Sequence, residues 1–90
     1  MLFISCYGKN VYIDDELVGY ISYEGDMFAK GHKFGSLTEE GDIYLLGQYV
    51  GYIEDNNEIY INDSYGGYVN SSNDICFDSK ALAKINSNNY

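Results

Sequence analysis

The residue types most often used in catalysis are few in this sequence and are not arranged as a catalytic site. Its single histidine, His32, lies in a predicted turn between Lys30 and Lys33. A general base would also need a partner that orients its ring. The sequence contains neither a nucleophile-elbow serine nor a glycine-rich phosphate loop. We therefore predict no catalytic residue and expect a protein that is not an enzyme.

Potential metal ligands show no recognisable spacing either. Cys6 and Cys76 lie near opposite ends of the chain, and we expect both to be reduced core thiols, with a bridge between them as the alternative. The segment 55–58 resembles the start of a calcium loop, but Ile59 stands where the next oxygen ligand would be needed. We expect no metal ion and no cofactor.

Carboxylates are the most distinctive chemical groups of the chain. It has 14 Asp and Glu against five basic residues, all of them lysine, for a formal net charge of -9. That charge repels phosphate, and without arginine the chain lacks the usual bidentate contact to a base or a phosphate. Direct binding of nucleic acid is therefore disfavoured. A basic protein is the partner class that this charge suits best.

Length and composition limit the class of protein further. Ninety residues fit a single domain, 1–90, and the 46% hydrophobic content argues against a disordered acidic tail. No apolar run approaches the roughly 20 residues that a membrane span needs. The apolar start, Met1 to Cys6, lacks the charged region and the length of a signal peptide. We expect a folded cytoplasmic protein.

A sixteen-residue repeat organises the chain from Lys9 onward without a gap. Its third position is always Val, Met or Ile, and its eleventh position is Gly in four repeats and Ala in the fifth. Sixteen residues suit two short strands with two tight turns, so each repeat is predicted to be a β-hairpin. The predicted hairpins span residues 9–24, 25–40, 41–56, 57–72 and 73–88, and residues 2–7 form one further strand before them.

The pairing within each hairpin determines which side chains face inward. We place the inner turn at repeat positions seven and eight, as in Gly47-Gln48, which pairs the fourth position with the eleventh. Tyr44 then covers Gly51 with its ring, a known way of stabilising a glycine in a sheet. Positions three, five, ten and twelve face the core, and Ile53 at position thirteen faces outward.

Two groups of tyrosines follow from this pairing. Tyr20, Tyr52 and Tyr68 at position twelve point inward, where their hydroxyl groups could line a cavity for a small signalling ligand. Tyr44 and Tyr60 at position four point outward and could support self-association.

The turns between hairpins collect most of the acidic residues. The first position of the second to fifth repeats carries Gly or Asn, the types that tolerate the left-handed conformation of a type I turn with a bulge. Nine of the 14 carboxylates lie at the positions around this outer turn, and in a meander these positions share one end. We call this set the acidic rim, and its members are Glu24, Asp26, Glu39, Glu40, Asp42, Glu54, Asp55, Glu58 and Asp74.

The last repeat departs from the pattern. Residues 78–86 are compatible with a short helix, since Asp78 or Ser79 would cap it and Ala, Leu and Lys favour it. Agreement with the repeat at Leu82, Ala83 and Ile85 favours a strand instead.

Consecutive antiparallel strands predict an all-β meander that curls into a closed or nearly closed barrel, its first strand meeting its last. A flat array of stacked hairpins, which would need a partner to cover its apolar face, is the alternative. The pattern of Ile43-Tyr44 followed by Val50-Gly51-Tyr52-Ile53 is similar to short Tyr- and Gly-rich hairpin repeats of uncharacterised bacterial and phage proteins. That resemblance covers most of the chain and implies no activity.

The acidic rim favours one function over the alternatives. Acidic side chains can replace phosphates in the nucleic-acid groove of a nuclease or in the active site of a basic toxin, so we expect a phage-encoded or immunity-type antagonist of a basic protein. Turns that are acidic only for solubility are the simpler interpretation. A ligand-binding barrel and a structural, self-associating repeat module are further alternatives.

Overall fold

Hairpins with the predicted spacing build most of the chain in the computed structural model, which describes residues 9–87. Its strands and helix are β1 (Lys9–Ile13), β2 (Glu16–Ile21), β3 (Asp26–Ala29), β4 (His32–Leu37), β5 (Asp42–Leu45), β6 (Gln48–Ile53), β7 (Glu58–Ile61), β8 (Ser64–Val69), β9 (Ile75–Phe77) and α1 (Ser79–Ser87). The predicted strand at residues 2–7, with Cys6, lies outside the described residues.

The sheet closes into a barrel, which confirms the predicted all-β meander. Each strand from β1 to β9 pairs antiparallel with the next, and β9 returns to pair with β1. Because nine is an odd number, the first and last strands run in the same direction. The seam is therefore parallel, with Val11 opposite Ile75 and Ile13 opposite Phe77.

The inner turns begin one residue earlier than the spacing predicted. They lie at repeat positions six and seven, where both residues have a positive φ, as in Leu46 (53°) and Gly47 (81°). This is the type I′ geometry, whose twist matches that of the flanking strands. The predicted inner turn at positions seven and eight is therefore wrong.

A β-bulge in each hairpin compensates for the earlier turn. In the third hairpin Tyr44 pairs with Tyr49 and Ile43 pairs with Gly51, so that Val50 is the extra residue. The same shift occurs in the first, second and fourth hairpins. The predicted pairing of Tyr44 with Gly51 is consequently wrong.

The outer turns have the predicted geometry. Gly41 and Asn57 have φ values of 92° and 69°. The Gly41 N–H donates to the Thr38 carbonyl over 3.0 Å, which closes the type I turn. The Thr38 hydroxyl in addition accepts a 3.0 Å hydrogen bond from the Asp42 N–H, so this short polar residue helps to define the turn.

Repeat positions three and thirteen supply the centre of the core. Ile21, Ile43 and Ile59 are fully buried, and Ile53 is 4% exposed. The bulge reverses the alternation after position ten, which places position thirteen inside the barrel and position twelve outside. The predicted outward Ile53 is thus wrong, and so is the predicted inward direction of Tyr20, Tyr52 and Tyr68.

The last repeat ends in a helix rather than in the favoured second strand. Asp78 accepts the Lys80 N–H through Oδ1 over 3.0 Å, and its carbonyl accepts the Ala81 N–H over 3.1 Å. These are the bonds of a helix N-cap. Ala81, only 4% exposed, joins the core cluster, and Leu82 packs against that cluster. Leu82, one of the apolar residues that suggested a strand, therefore makes its core contacts from a helix.

Candidate functional site

The acidic rim lies at one end of the barrel, as its repeat positions require. All four outer turns are at this end, since the chain alternates direction at every strand. Five of the nine carboxylates are exposed and lie in the turns, namely Glu24, Glu39, Glu40, Glu54 and Asp55. Asp26, Asp42 and Glu58 begin β3, β5 and β7, and Asp74 directly precedes β9; these four are half-buried.

Three of the half-buried carboxylates have structural partners. Asp74 Oδ1 accepts the Asn10 N–H over 2.9 Å across the seam. Asp26 forms an ion pair with Lys33 at 3.1 Å, and Glu58 accepts a 3.1 Å hydrogen bond from the Tyr60 hydroxyl.

The exposed carboxylates are different. Within residues 9–87, the side chains of the five turn carboxylates make no hydrogen bond and no ion pair. The exposed part of the rim is therefore not engaged by the residues that the structure describes.

The opposite end of the barrel carries charges of both signs. Lys30 and His32 are exposed there. Asp14 accepts hydrogen bonds from the Ser79 hydroxyl and from the Ser79 N–H, the latter over 3.1 Å. These bonds, assisted by the charge of Lys80, lower the pKa of Asp14 below its ordinary value of 3.8. At this end, hydrogen bonds between Asp14 and Ser79 therefore connect the first inner turn to α1.

A second candidate surface is the outer side of β5 to β8, where the tyrosines of positions four, nine and twelve meet. We call it the tyrosine face, and it consists of Tyr44, Tyr49, Tyr52, Tyr60, Tyr65 and Tyr68. Tyr49 and Tyr65 are 55% and 50% exposed. Tyr20 is on the outer side as well, stacked on Phe28 with ring centroids 5.4 Å apart.

The rings of the tyrosine face support one another. Tyr52 stacks on Tyr60 of the next strand at a centroid distance of 5.7 Å and an interplanar angle of 16°. Tyr44 meets Tyr49 edge-on at 5.6 Å, and Tyr60 meets Tyr65 edge-on at 6.4 Å. Contacts between rings in these arrangements are favourable beyond the area they bury. The face is consequently a continuous set of ring contacts across β5 to β8.

The glycines at position eleven allow a close approach between backbones and are not there to be covered by tyrosine rings. A Cβ atom on Gly51 would overlap the carbonyl oxygen of Tyr60, and one on Gly67 would overlap that of Cys76. Glycine is therefore required by the close approach of the next hairpin. The predicted cover of Gly51 by Tyr44 is wrong, because these residues are not paired.

The surroundings of two phenol groups of this face, those of Tyr60 and Tyr49, raise their pKa values. The hydrogen bond to Glu58, together with the charge of that carboxylate, raises the pKa of Tyr60 above its ordinary value of 10.0. Burial, followed by the charge of Asp42, raises the pKa of Tyr49. Both of these rings are therefore bordered by carboxylates.

The recesses that position nine forms with the inner turns were not predicted from the sequence. Tyr49 and Tyr52 border a recess of about 150 Å³ together with the next inner turn, Asn62-Asp63. A second recess of about 240 Å³ lies between Tyr65 and Tyr68 and the acidic turns beside the seam. Their sequence signal is tyrosine at positions nine and twelve of one repeat followed by an acid in the next inner turn. This pattern can be recognised only when the position of the bulge is known, because the bulge places position twelve on the outer side with position nine.

The tyrosines that were predicted to line an interior ligand cavity do not point into the barrel. Val11, Met27 and Ile75 fill it and are fully buried. Cys76 is a free, buried thiol that faces Tyr68 across the strands, and burial is the main cause that raises its pKa. Cys6 lies outside the described residues.

Neither a metal site nor a membrane-spanning helix occurs in the part of the chain that the structure describes. Its His, Cys, Asp and Glu side chains form no group of three that could hold a metal ion. Its one helix, α1, is too short and too polar to cross a bilayer.

No family model, curated protein or solved structure matches this chain. What its surfaces do must therefore be argued from their own geometry.

Proposed function

We propose that this chain is a non-enzymatic binding protein whose acidic rim contacts a basic protein. The observation that carries the proposal is the set of five exposed turn carboxylates at one end of the barrel, which have no partner of their own among the described residues. A rim carboxylate with a structural role is engaged by the fold, as that of Asp74 is when it accepts the Asn10 N–H across the seam.

The rim suits a partner that normally binds polyanions. Its carboxylates are carried by a series of similar turns, and a row of negative charges on a rigid frame presents to a protein what a phosphate backbone presents. The partner class is then a nuclease, another nucleic-acid-binding protein or a basic toxin, and the chain is its cytoplasmic antagonist, of the phage or immunity type. With a net charge of -9, association is accelerated by long-range attraction.

Reversal of rim charges tests this proposal. A tagged chain and its Glu39→Lys/Glu40→Lys/Glu54→Lys/Asp55→Lys variant are used to capture proteins from a cell lysate at physiological salt, followed by mass spectrometry. We expect the wild-type chain to enrich a basic protein and the variant to lose it. Circular dichroism and thermal unfolding establish that the variant keeps its fold.

A matched pair of single variants separates the rim from the total charge. Glu54→Lys changes the rim, and Glu16→Lys makes the same charge change at an exposed site at the opposite end of the barrel. We expect Glu54→Lys to weaken capture of the enriched protein by about fivefold more than Glu16→Lys. Equal weakening, or retention of the partner by the fourfold variant, would contradict a role for the rim.

A further inference from the structure

The two recesses beside the tyrosine face are repeats of one arrangement. In the third hairpin, Tyr49 and Tyr52 border a recess with Asp63 of the following inner turn. In the fourth hairpin, Tyr65 and Tyr68 occupy the same repeat positions, and the following turn contributes Asp78. Asp14 and Asp15 of the first inner turn join the second recess because the barrel closes there. We call them the Tyr49 recess and the Tyr65 recess.

The first two hairpins lack this combination. The first has Leu17 and Tyr20 at positions nine and twelve, followed by the turn Lys30-Gly31. The second has Lys33 and Ser36, followed by Leu46-Gly47. Since the turn and bulge geometry is shared, the barrel does not require two tyrosines and an acid at these positions. The combination in hairpins three and four needs another explanation.

One carboxylate in each recess is left for a ligand. Asp14 is engaged by Ser79, and Asp78 caps α1. By contrast, the carboxylates of Asp63 and Asp15 make no hydrogen bond and no ion pair within residues 9–87. Both carboxylates lie close enough to the rings to raise tyrosine pKa values. The pKa of Tyr68 is raised most by Cys76 and next by Asp15. The pKa of Tyr49 is raised most by burial, and Asp63 is among the charged groups that raise it further.

Aromatic walls and a free carboxylate define the chemistry of an organic cation. A cation over a tyrosine ring is attracted by the electron density of its face, and a carboxylate at the edge pairs with its charge. Volumes of about 150 and 240 Å³ are below those of pockets for drug-sized ligands but suffice for a side-chain head group. Among side chains, the planar guanidinium group stacks on rings and forms paired hydrogen bonds with carboxylates, whereas an ammonium group keeps more of its water.

We propose that the Tyr49 and Tyr65 recesses each bind the guanidinium group of an arginine side chain on a basic protein partner. That the arginine belongs to a protein rests on the proposed function, whereas the chemistry of the recesses stands on their geometry. The acidic rim then attracts the partner over a distance, and the recesses hold two of its arginines.

Short peptides and NMR test the recesses directly. The labelled chain is titrated with acetyl-Gly-Arg-Gly-amide and with the same peptide carrying lysine or citrulline, which has the shape of arginine without its charge. We expect saturable shifts of the Tyr49, Tyr52, Tyr65 and Tyr68 ring signals with the arginine peptide. The lysine peptide should bind more weakly, and the citrulline peptide should give no saturable shift. Tyr20 of the first hairpin is the internal control.

Two double variants with the same net charge isolate the recess carboxylates. Asp15→Asn/Asp63→Asn removes them, and Glu40→Gln/Asp55→Asn removes two exposed rim charges. We expect the first variant to weaken the arginine peptide by about tenfold and the second by less than about twofold. All four positions are exposed, and dispersed amide spectra will show that both variants are folded.

The outcomes separate this proposal from the proposed function. Equal weakening by the two variants, equal affinity for lysine and arginine, or the absence of saturable binding would overturn the recess proposal. If charge reversal on the rim abolishes capture of a basic protein and the recess variant does not, the proposed function of the rim is still supported. A parallel titration with spermidine tests whether the recesses bind a free polyamine instead of a protein side chain. Tighter binding of spermidine than of the arginine peptide at the same tyrosines would overturn the proposal of an arginine side chain as the occupant.

Discussion

Gly51 has no freedom to accept even a methyl group, although its backbone is not in a left-handed conformation. A Cβ at this position would overlap the Tyr60 carbonyl oxygen, which belongs to the next hairpin. Gly47, in the inner turn, has open space around it but a φ of 81°. Two glycines of one hairpin are thus required for two different physical reasons, one steric and one conformational.

Alanine substitution separates these reasons. We expect Gly51→Ala to lower the free energy of unfolding by about 3 kcal/mol, because the backbone of the neighbouring hairpin must move. Gly47→Ala should lower it by only about 1 kcal/mol, the cost of a left-handed non-glycine residue. Urea unfolding followed by circular dichroism measures both, and an equal cost would contradict the close approach.

The hydroxyl of Tyr60 gives a second prediction for a single residue. Its hydrogen bond to Glu58 raises its pKa, so the bond stabilises the fold fully below the ordinary tyrosine pKa of 10.0. That stabilisation is lost as the pH rises through the higher pKa of the folded state. We expect Glu58→Gln to lower the pKa of Tyr60 while leaving the raised pKa of Tyr49 unchanged, as measured from the ring carbon shifts. An unchanged pKa of Tyr60 would show that the hydrogen bond is absent.

Among the elements, the hairpins could be predicted from the sequence but their register could not. Regular spacing of Ile43, Ile59 and Ile75 indicates strands and turns, and it does so correctly. The register depends on one residue: a type I′ turn at Leu46-Gly47 and a bulge at Val50 move the tyrosine of position twelve from inside to outside. Since a bulge has no spacing signal of its own, the rim could be located while the recesses could not.

The helix at the end of the last repeat shows the same limit. Leu82 fits the hydrophobic pattern of a strand, but the Asp78 cap and the burial of Ala81 against the core favour a helix. We expect Asp78→Ala to cost about 1 kcal/mol of stability through loss of the cap, and Asp78→Asn to restore most of it. Thermal unfolding distinguishes the two variants, and equal losses would show that the cap contributes nothing specific.

The contact of the first inner turn with α1 makes stability depend on pH. The pKa of Asp14 is lowered in the folded state by the bonds from Ser79, so its contribution is present above the ordinary value of 3.8 and is lost as the pH falls through the lower folded value. We expect wild-type protein to be more stable than Asp14→Asn at pH 7 and nearly equal to it at pH 2. Urea unfolding at both pH values tests this, and a constant difference would assign the effect to packing.

At the scale of the whole molecule, closure of the barrel joins features that are far apart in the sequence. The parallel pairing of β1 with β9 brings Asp15 next to Tyr68 and thereby completes the Tyr65 recess. The Tyr49 recess needs no closure, because its residues come from adjacent hairpins. The barrel therefore presents one recess that depends on the seam and one that does not, while the rim depends only on the alternation of strand direction.

The concentration of carboxylates at one end of the barrel lowers its stability through charge repulsion, and added salt should reduce this effect. Like charges on neighbouring turns repel one another, and the Debye length falls from about 30 Å at 0.01 M salt to about 8 Å at 0.15 M. We expect the urea midpoint to rise with sodium chloride, mostly below about 0.2 M. The variant Glu39→Gln/Glu54→Gln/Asp55→Asn removes three charges from the rim, and Asp15→Asn/Glu16→Gln/Asp63→Asn removes three charges from the other end of the barrel. We expect the salt-dependent rise of the urea midpoint to be smaller in the first variant than in the second. Identical salt slopes for these two variants would mean that the total charge, and not its placement on the rim, sets the repulsion.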